Sequence, residues 1–313
     1  MIKRILKWTV SILVGLVLVF LVYSSIRQMN YNSFIDNEFK PTGRFSDIGT
    51  NRIHFKYYDE GEITFVLLSG LGETLNTWHK IEQELATRGR VFMYDRSGLG
   101  HSEAGISPRS VDNLSTELNE VLKKEGIPGP YILIGHSAGG FLARYYAYKF
   151  PDKVEGLFLI DPYQEMSRAE FGEWPATYKL INWTLRNASW SGIPYLLLPD
   201  PPHPTYKTSK ALRAFGQEAF AENISLQEFA AIRKDTMHLP VYVLTAEKSN
   251  PTYVALFKKW NQQILDTYSH EINKHILVDS KHHIHVEQPS RVLLELDQFI
   301  SGIEESGRKP EYE

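Results

Sequence analysis

Short runs of consecutive apolar residues recur at Thr64 to Leu68, Arg90 to Tyr94, Tyr131 to Ile134, Gly156 to Ile160, Val241 to Leu244 and His275 to Val278. Each is bounded by turn residues and has the length of a strand buried on both faces of a sheet. Between several of them the spacing becomes helical, as in Val111 to Glu125 and Phe141 to Lys149. This alternation predicts an α/β domain with a mostly parallel central sheet flanked by helices. The earlier segment Arg52 to Tyr58 predicts an antiparallel strand at the start of the sheet.

The strand rhythm stops from about Tyr163 to His238. That stretch is rich in helix formers and aromatics, among them Phe171, Trp174, Tyr178, Trp183, Trp190, Phe215, Phe220 and Phe229. An insertion of this size between two core strands predicts a helical lid whose aromatics pack it first and touch a substrate second. The expected boundaries are a core of 45–162 and 239–305 with a lid of 163–238.

A third pattern stands at the N-terminus. Lys3, Arg4 and Lys7 precede an uncharged run from Trp8 to Ile26 that ends at Arg27. At about 1.5 Å per residue, the run is about as long as the ~30 Å hydrocarbon core of a bilayer is thick. It is apolar on all faces, unlike a core helix, and Val22, Tyr23, Ser24 make a poor cleavage site for a secretory leader. Residues 1–27 are expected to be an uncleaved single-pass cell-membrane anchor. Residues 28–44 are polar and without sustained periodicity, and are expected to form a stalk. The positive residues before the run place the N-terminus in the cytoplasm and the remaining chain outside.

Charge then narrows the partners. The chain has 313 residues, with 34 basic against 37 acidic, so no global field favours nucleic acid. Cysteine is absent, which removes thiol nucleophiles, disulfides and thiolate-ligated metals. Any covalent chemistry must come from oxygen and nitrogen groups.

One turn has the pattern such chemistry needs. The strand at Tyr131 to Ile134 runs into Gly135, His136, Ser137, Ala138, Gly139, and a helix with Phe141, Leu142 and Tyr145 follows. A G-x-S-x-G sequence between strand and helix forms a tight elbow that exposes the serine as a nucleophile. Glycines flank it because the turn has no room for side chains. In this geometry the backbone N–H of the next residue, Ala138, is one oxyanion donor, and the second comes from a loop after an earlier strand. Val66 to Leu68 lead into Ser69, Gly70, Leu71, Gly72, which makes Leu71 the candidate.

With Leu67 to Trp78 and the run Tyr94, Asp95, Arg96, Ser97, Gly98, Leu99, Gly100, His101, Ser102, the Gly135 to Gly139 elbow closely resembles the α/β-hydrolase superfamily. The resemblance covers about Arg52 to Phe299 and implies a serine hydrolase of the esterase or lipase type, with no cofactor and no metal. Relatives usually carry His where Ser69 stands. A catalytic histidine that stands five residues before a Glu and seven before a Pro selects His282, ahead of Glu287 and Pro289, with His283 as the near alternative. A metal site from His282, His283 and His285 lacks a supporting carboxylate or cysteine pattern. Most relatives place the triad acid after the penultimate strand, where this chain has Glu247 and Ser249 in the loop from Ala246 to Asn250. Some place it instead after the elbow helix's following strand, where Asp161 stands. Asp161 is therefore the expected acid and Glu247 the alternative.

The resemblance also implies that Asp95 and Arg96 are structural. Arg144 and Tyr145 are expected to pack rather than act, and Trp78 either lines the pocket or anchors its helix. The expected activity is cleavage of a carboxylic ester with an apolar acyl group, ahead of an amide or peptide. The competing expectation is a ligand-binding or signalling member of the fold with little or no turnover.

Overall fold

In the computed structural model, which describes residues 1–165, 170, 172, 174–197, 203–233, 236–249 and 252–307, the apolar runs pair into one eight-stranded sheet. Its strands are β1 (Arg44–Asp47), β2 (Arg52–Tyr58), β3 (Thr64–Leu68), β4 (Arg90–Tyr94), β5 (Tyr131–His136), β6 (Val154–Ile160), β7 (Val241–Ala246) and β8 (Lys274–Val278). They lie in the order β1-β2-β4-β3-β5-β6-β7-β8. β1 and β2 are antiparallel, as is β2 with β4, and every later pair is parallel. β1 was not expected. Its four residues, Arg44, Phe45, Ser46 and Asp47, bury only Ser46 and carry no apolar run to read.

The sheet is covered on both faces, which is why β3 and β7 are buried along their whole length. One face packs beneath α3 (Val111–Lys124) and α4 (Ala138–Lys149), with Leu118, Val121, Leu142 and Tyr146 against Val66, Leu133 and Leu159. The other packs beneath α2 (Glu82–Ala86) and α11 (Pro289–Gly307), with Leu85, Val292, Leu296 and Phe299 against Phe65, Ile134 and Phe158. Each fully buried Leu, Ile, Val or Phe contributes about 1.5–3 kcal/mol relative to exposure. α9 (Val254–Leu265) and α10 (Ile284–Glu287) complete the core.

Between β6 and β7 the described segments form α5 (Ala176–Ala188), α6 (Ile193–Leu197), α7 (Ser209–Phe220) and α8 (Glu222–Ile232). Phe171 lies outside the described residues. α5 and α7 cross closely at Gly216, where a Cβ would stand 2.6 Å from the backbone N of Arg186. The insertion also supplies caps that the core lacks. Glu228 of α8 accepts from Asp112 N (3.0 Å) and Ser110 Oγ (2.8 Å), and Ser225 Oγ accepts from Val111 N (3.0 Å), so α3's first amides are satisfied from outside.

Residues 28–38 of the expected stalk are helical. The N-terminal helix α1 runs unbroken from Ile2 to Glu38. Residues after Arg27 lack an apolar stripe, yet their polar groups find partners on the insertion. Gln28 Nε2 donates to Lys207 O (3.0 Å), Tyr31 OH to Pro204 O (2.7 Å) and Asn32 Nδ2 to Ser209 Oγ (3.0 Å), while Ile35 is buried. Tertiary hydrogen bonds, invisible to periodicity, hold the helix here.

Candidate active site

β5 ends at His136, Ser137 turns the chain, and α4 begins at Ala138. Ser137 has φ 51° and ψ −120°, a conformation that side chains disfavour and that recurs at functional sites. Packing enforces it. A Cβ at Gly135 would stand 2.6 Å from Gly139 O, and one at Gly139 would run into the Leu68 carbonyl. Ser137 N donates to Ile160 O (3.1 Å), and Ser137 O accepts from Gly140 N and Tyr163 N (both 2.9 Å).

The loop after β3 is gripped from below. Arg96 donates to Ser69 O (2.6 Å) and Gly70 O (2.8 Å) and pairs with both oxygens of Glu218 on α7 (2.9 Å each). In a trans peptide the N–H lies opposite the C=O, so holding the Gly70 carbonyl aims the Leu71 N–H away from Arg96. Ala138, as the first residue of α4, has no intrahelical acceptor for its N–H. Ser69 Oγ accepts from the indole N–H of fully buried Trp78 (3.0 Å) and donates to Thr74 O (3.2 Å). Trp78 therefore anchors this loop instead of lining a pocket. Asp95 accepts from Leu75 N (2.9 Å) and His101 N (3.0 Å) and pairs with His54 (2.7 Å), a structural set of contacts. Arg144 is buried against Glu165 (2.6 and 2.8 Å), and Tyr145 OH donates to Asp112 (2.7 Å).

His282 Nδ1 lies 2.6 Å from Asp161 Oδ2. Asp161 is buried, its other oxygen accepts from Ala246 N (3.1 Å), and its φ of 42° is the second positive value at a non-glycine residue among those described. Glu247 instead pairs with Lys258 (2.8 Å). The geometry thus brings Asp161, and not Glu247, to the histidine.

The three clustered histidines have separate surroundings. His285 is buried against Trp78, with Nε2 2.9 Å from Thr77 Oγ1, and burial holds its pKa well below the ordinary imidazole value. His283 Nε2 meets Glu73 Oε1 at 2.8 Å. Glu73 was not expected. Its Oε2 accepts from Gly70 N (2.8 Å) and lies 3.1 Å from His136 Nδ1, and His136 Nε2 lies 3.1 Å from His282 O. One carboxylate thus links the Leu71 loop, the residue before Ser137 and the His282 loop. Burial alone would raise Glu73, but the His136 and His283 rings hold it well below the ordinary carboxylate value; the Glu73 hydrogen bond in turn raises His283.

The carboxylate missing from the sequence reading of a metal site is supplied here. Ligand atoms of Glu73, His136 and His283 lie within 4.8 Å of one another. Each already serves in this hydrogen-bonded network. Positions 73 and 283 come from two different loops and position 136 from the end of β5, and no local motif joins them.

Two cavities meet at Ser137. One, about 250 Å³, is mostly apolar and lined by Leu71, Ala138, Phe141, Tyr163, Trp174 and Tyr178 among others. The other, about 380 Å³, is lined by His282, Asp161, Gln164, Ser249 and Phe257.

Residues 63–187 match the family model described as the alpha/beta hydrolase fold. Over 102 residues the chain is 36% identical to a (lyso)-N-acylphosphatidylethanolamine lipase of Bos taurus, a match that covers 31% of this chain and 30% of the relative. Its matches span only 30 to 40% of the length of such curated relatives. Among solved structures, the Cif epoxide hydrolase from Acinetobacter nosocomialis superposes with a TM-score of 0.68 at 17% identity, covering 88% of this chain and 96% of that one. The enol-lactonase from Burkholderia xenovorans LB400 gives 0.56 at 18% identity, covering 82% and 100%. By its sheet order, its elbow and these likenesses, the chain has the α/β-hydrolase fold.

Proposed function

We propose that the chain is a serine hydrolase that cleaves a carboxylic ester through an acyl-enzyme on Ser137. The observation that carries this reading is the Asp161–His282 pair at 2.6 Å, which faces the same cavity as the strained Ser137. His282 takes the Ser137 proton as Oγ attacks the ester carbonyl, and Asp161 holds the ring in its tautomer and balances its positive charge. The carbonyl oxygen becomes an oxyanion that accepts from the N–H groups of Leu71 and Ala138. Collapse of this intermediate breaks the C–O bond, and His282 returns the proton to the leaving alcohol. Water activated by His282 then attacks the acyl-enzyme and releases the acid. The hydrogen bond from Ser137 to His282 forms in the substrate complex, as is common for catalytic hydrogen bonds.

The apolar cavity suits the acyl group, and the cavity with His282 suits the alcohol and then water. A serine nucleophile leaves no carboxylate at the elbow for epoxide or haloalkane chemistry. Residues 163–238 act as a lid and 1–27 as a single-pass anchor, with the domain on the outer side of the membrane. The helix meets the length and composition for such a span.

The second reading is a ligand-binding member with little turnover. Ser249, in the loop where most relatives carry the acid, favours it, and the Asp161–His282 pair weakens it. Incubating the full chain with a fluorophosphonate probe separates the two. Labelling is expected, and it should vanish in Ser137→Ala; a folded chain that stays unlabelled would leave the binding reading in place.

A further inference from the structure

Helix α1 docks on the insertion at the level where its uncharged run ends. Ser24 Oγ donates to Ser191 O (2.6 Å), and Gly192 lies so close that a Cβ there would meet the Ser24 carbonyl. Around this contact the insertion turns a large apolar surface outward. Leu180 and Trp183 share one face of α5, Trp190 follows it, and Leu196 lies on α6; they are 64%, 56%, 55% and 50% exposed. Elsewhere on the domain, Phe220 and Ile224 form a smaller exposed apolar pair, while Phe45, Ile106, Tyr253, Leu277 and Leu294 are widely separated in the chain. From Pro175 to Pro199 the sequence has no acid, and its only charges are Lys179 and Arg186.

Large apolar side chains exposed together in this way cost free energy in water and mark an interaction site. Exposed tryptophans on a surface without acids are the composition of a membrane interface, where the rings lie among headgroups. Ser191 and Gly192 tie this surface to the end of the bilayer-spanning run, so the same membrane is the occupant within reach. Tyr178, on the same α5, lines the apolar cavity at Ser137. We infer that the α5–α6 face sits in the headgroup layer of the membrane that α1 crosses, so that the acyl cavity receives esters of bilayer lipids. This rests on the readings of α1 as a spanning helix and of Ser137 as a nucleophile.

The absence of cysteine makes the test direct. Single-cysteine variants V14C, W183C, W190C and E60C of the full chain are labelled with a nitroxide and reconstituted in phosphatidylcholine–phosphatidylglycerol vesicles, with folding checked by circular dichroism. Accessibility to oxygen relative to a water-soluble nickel chelate is then measured. Positions 183 and 190 should exceed position 60 severalfold and approach position 14. If 183 and 190 match 60 while 14 is lipid-exposed, the docking is wrong and the anchor stands. If position 14 is also aqueous, the anchor fails and the docking with it. Protection of 183 and 190 from both reagents, with spin–spin broadening between molecules, would assign the surface to a second copy and overturn the proposal.

Discussion

Ser137 and Asp161 carry the two positive φ values found at non-glycine residues among those described, and they end adjacent parallel strands. Strain at both positions is held by backbone hydrogen bonds, which places the proposed nucleophile and acid on rigid strand ends rather than on free loops. Asp161→Asn is expected to lower turnover by roughly four orders of magnitude, because an amide permits the wrong imidazole tautomer. Glu247→Gln should leave turnover near the parent value, since its partner is Lys258. Steady-state kinetics of the two variants with one soluble ester decide this, and equal losses would remove Asp161 from its assigned role. Glu73 leads to a pH effect of defined sign. A carboxylate held below its ordinary 4.5 adds stability that is complete above that pH and is lost as pH falls through the folded value. Glu73→Gln should therefore melt below the parent at pH 7, with the gap narrowing below about pH 4 in thermal unfolding. A gap that is constant with pH would mean that the charge of Glu73 does not matter.

At the scale of elements, each strand window read from apolar runs lies within its observed strand and misses at most two residues at an end. Val154 and Glu155 extend β6 beyond the expected Gly156 because pairing continues past the apolar run. What escaped the sequence shares a physical cause. β1 is specified by its pairing with β2 and the second half of α1 by tertiary hydrogen bonds, and Glu73 acts through partners 63 and 210 positions away. None of these leaves a period in the chain. Ser137 and the glycines around it were legible because a tight turn imposes residue types locally, while Asp161 needed the structure to separate it from Glu247. Gly192 tests the contact between two elements. It has φ 74° and no room for a Cβ against the Ser24 carbonyl, so Gly192→Ala should part α1 from the insertion. Limited proteolysis is expected to cut faster between Phe39 and Arg44, and an unchanged pattern would show that the contact does not restrain the helix.

Across the whole molecule, the parallel sheet brings the ends of β3, β5 and β6 together where the strand order reverses direction, the usual place for a site in such sheets. Arg96 and Glu218 join that site to the insertion, and Glu228 joins the insertion to α3. Core, insertion and N-terminal helix are thus bonded in series. Because α1 is continuous through Glu38, no slack separates the proposed bilayer span from the α/β domain. A flexible tether would let an enzyme sweep a hemisphere and meet solutes in three dimensions. A stiff and docked one fixes height and tilt, so that encounters depend on lateral diffusion within one leaflet and on lipid density per unit area instead of concentration per unit volume.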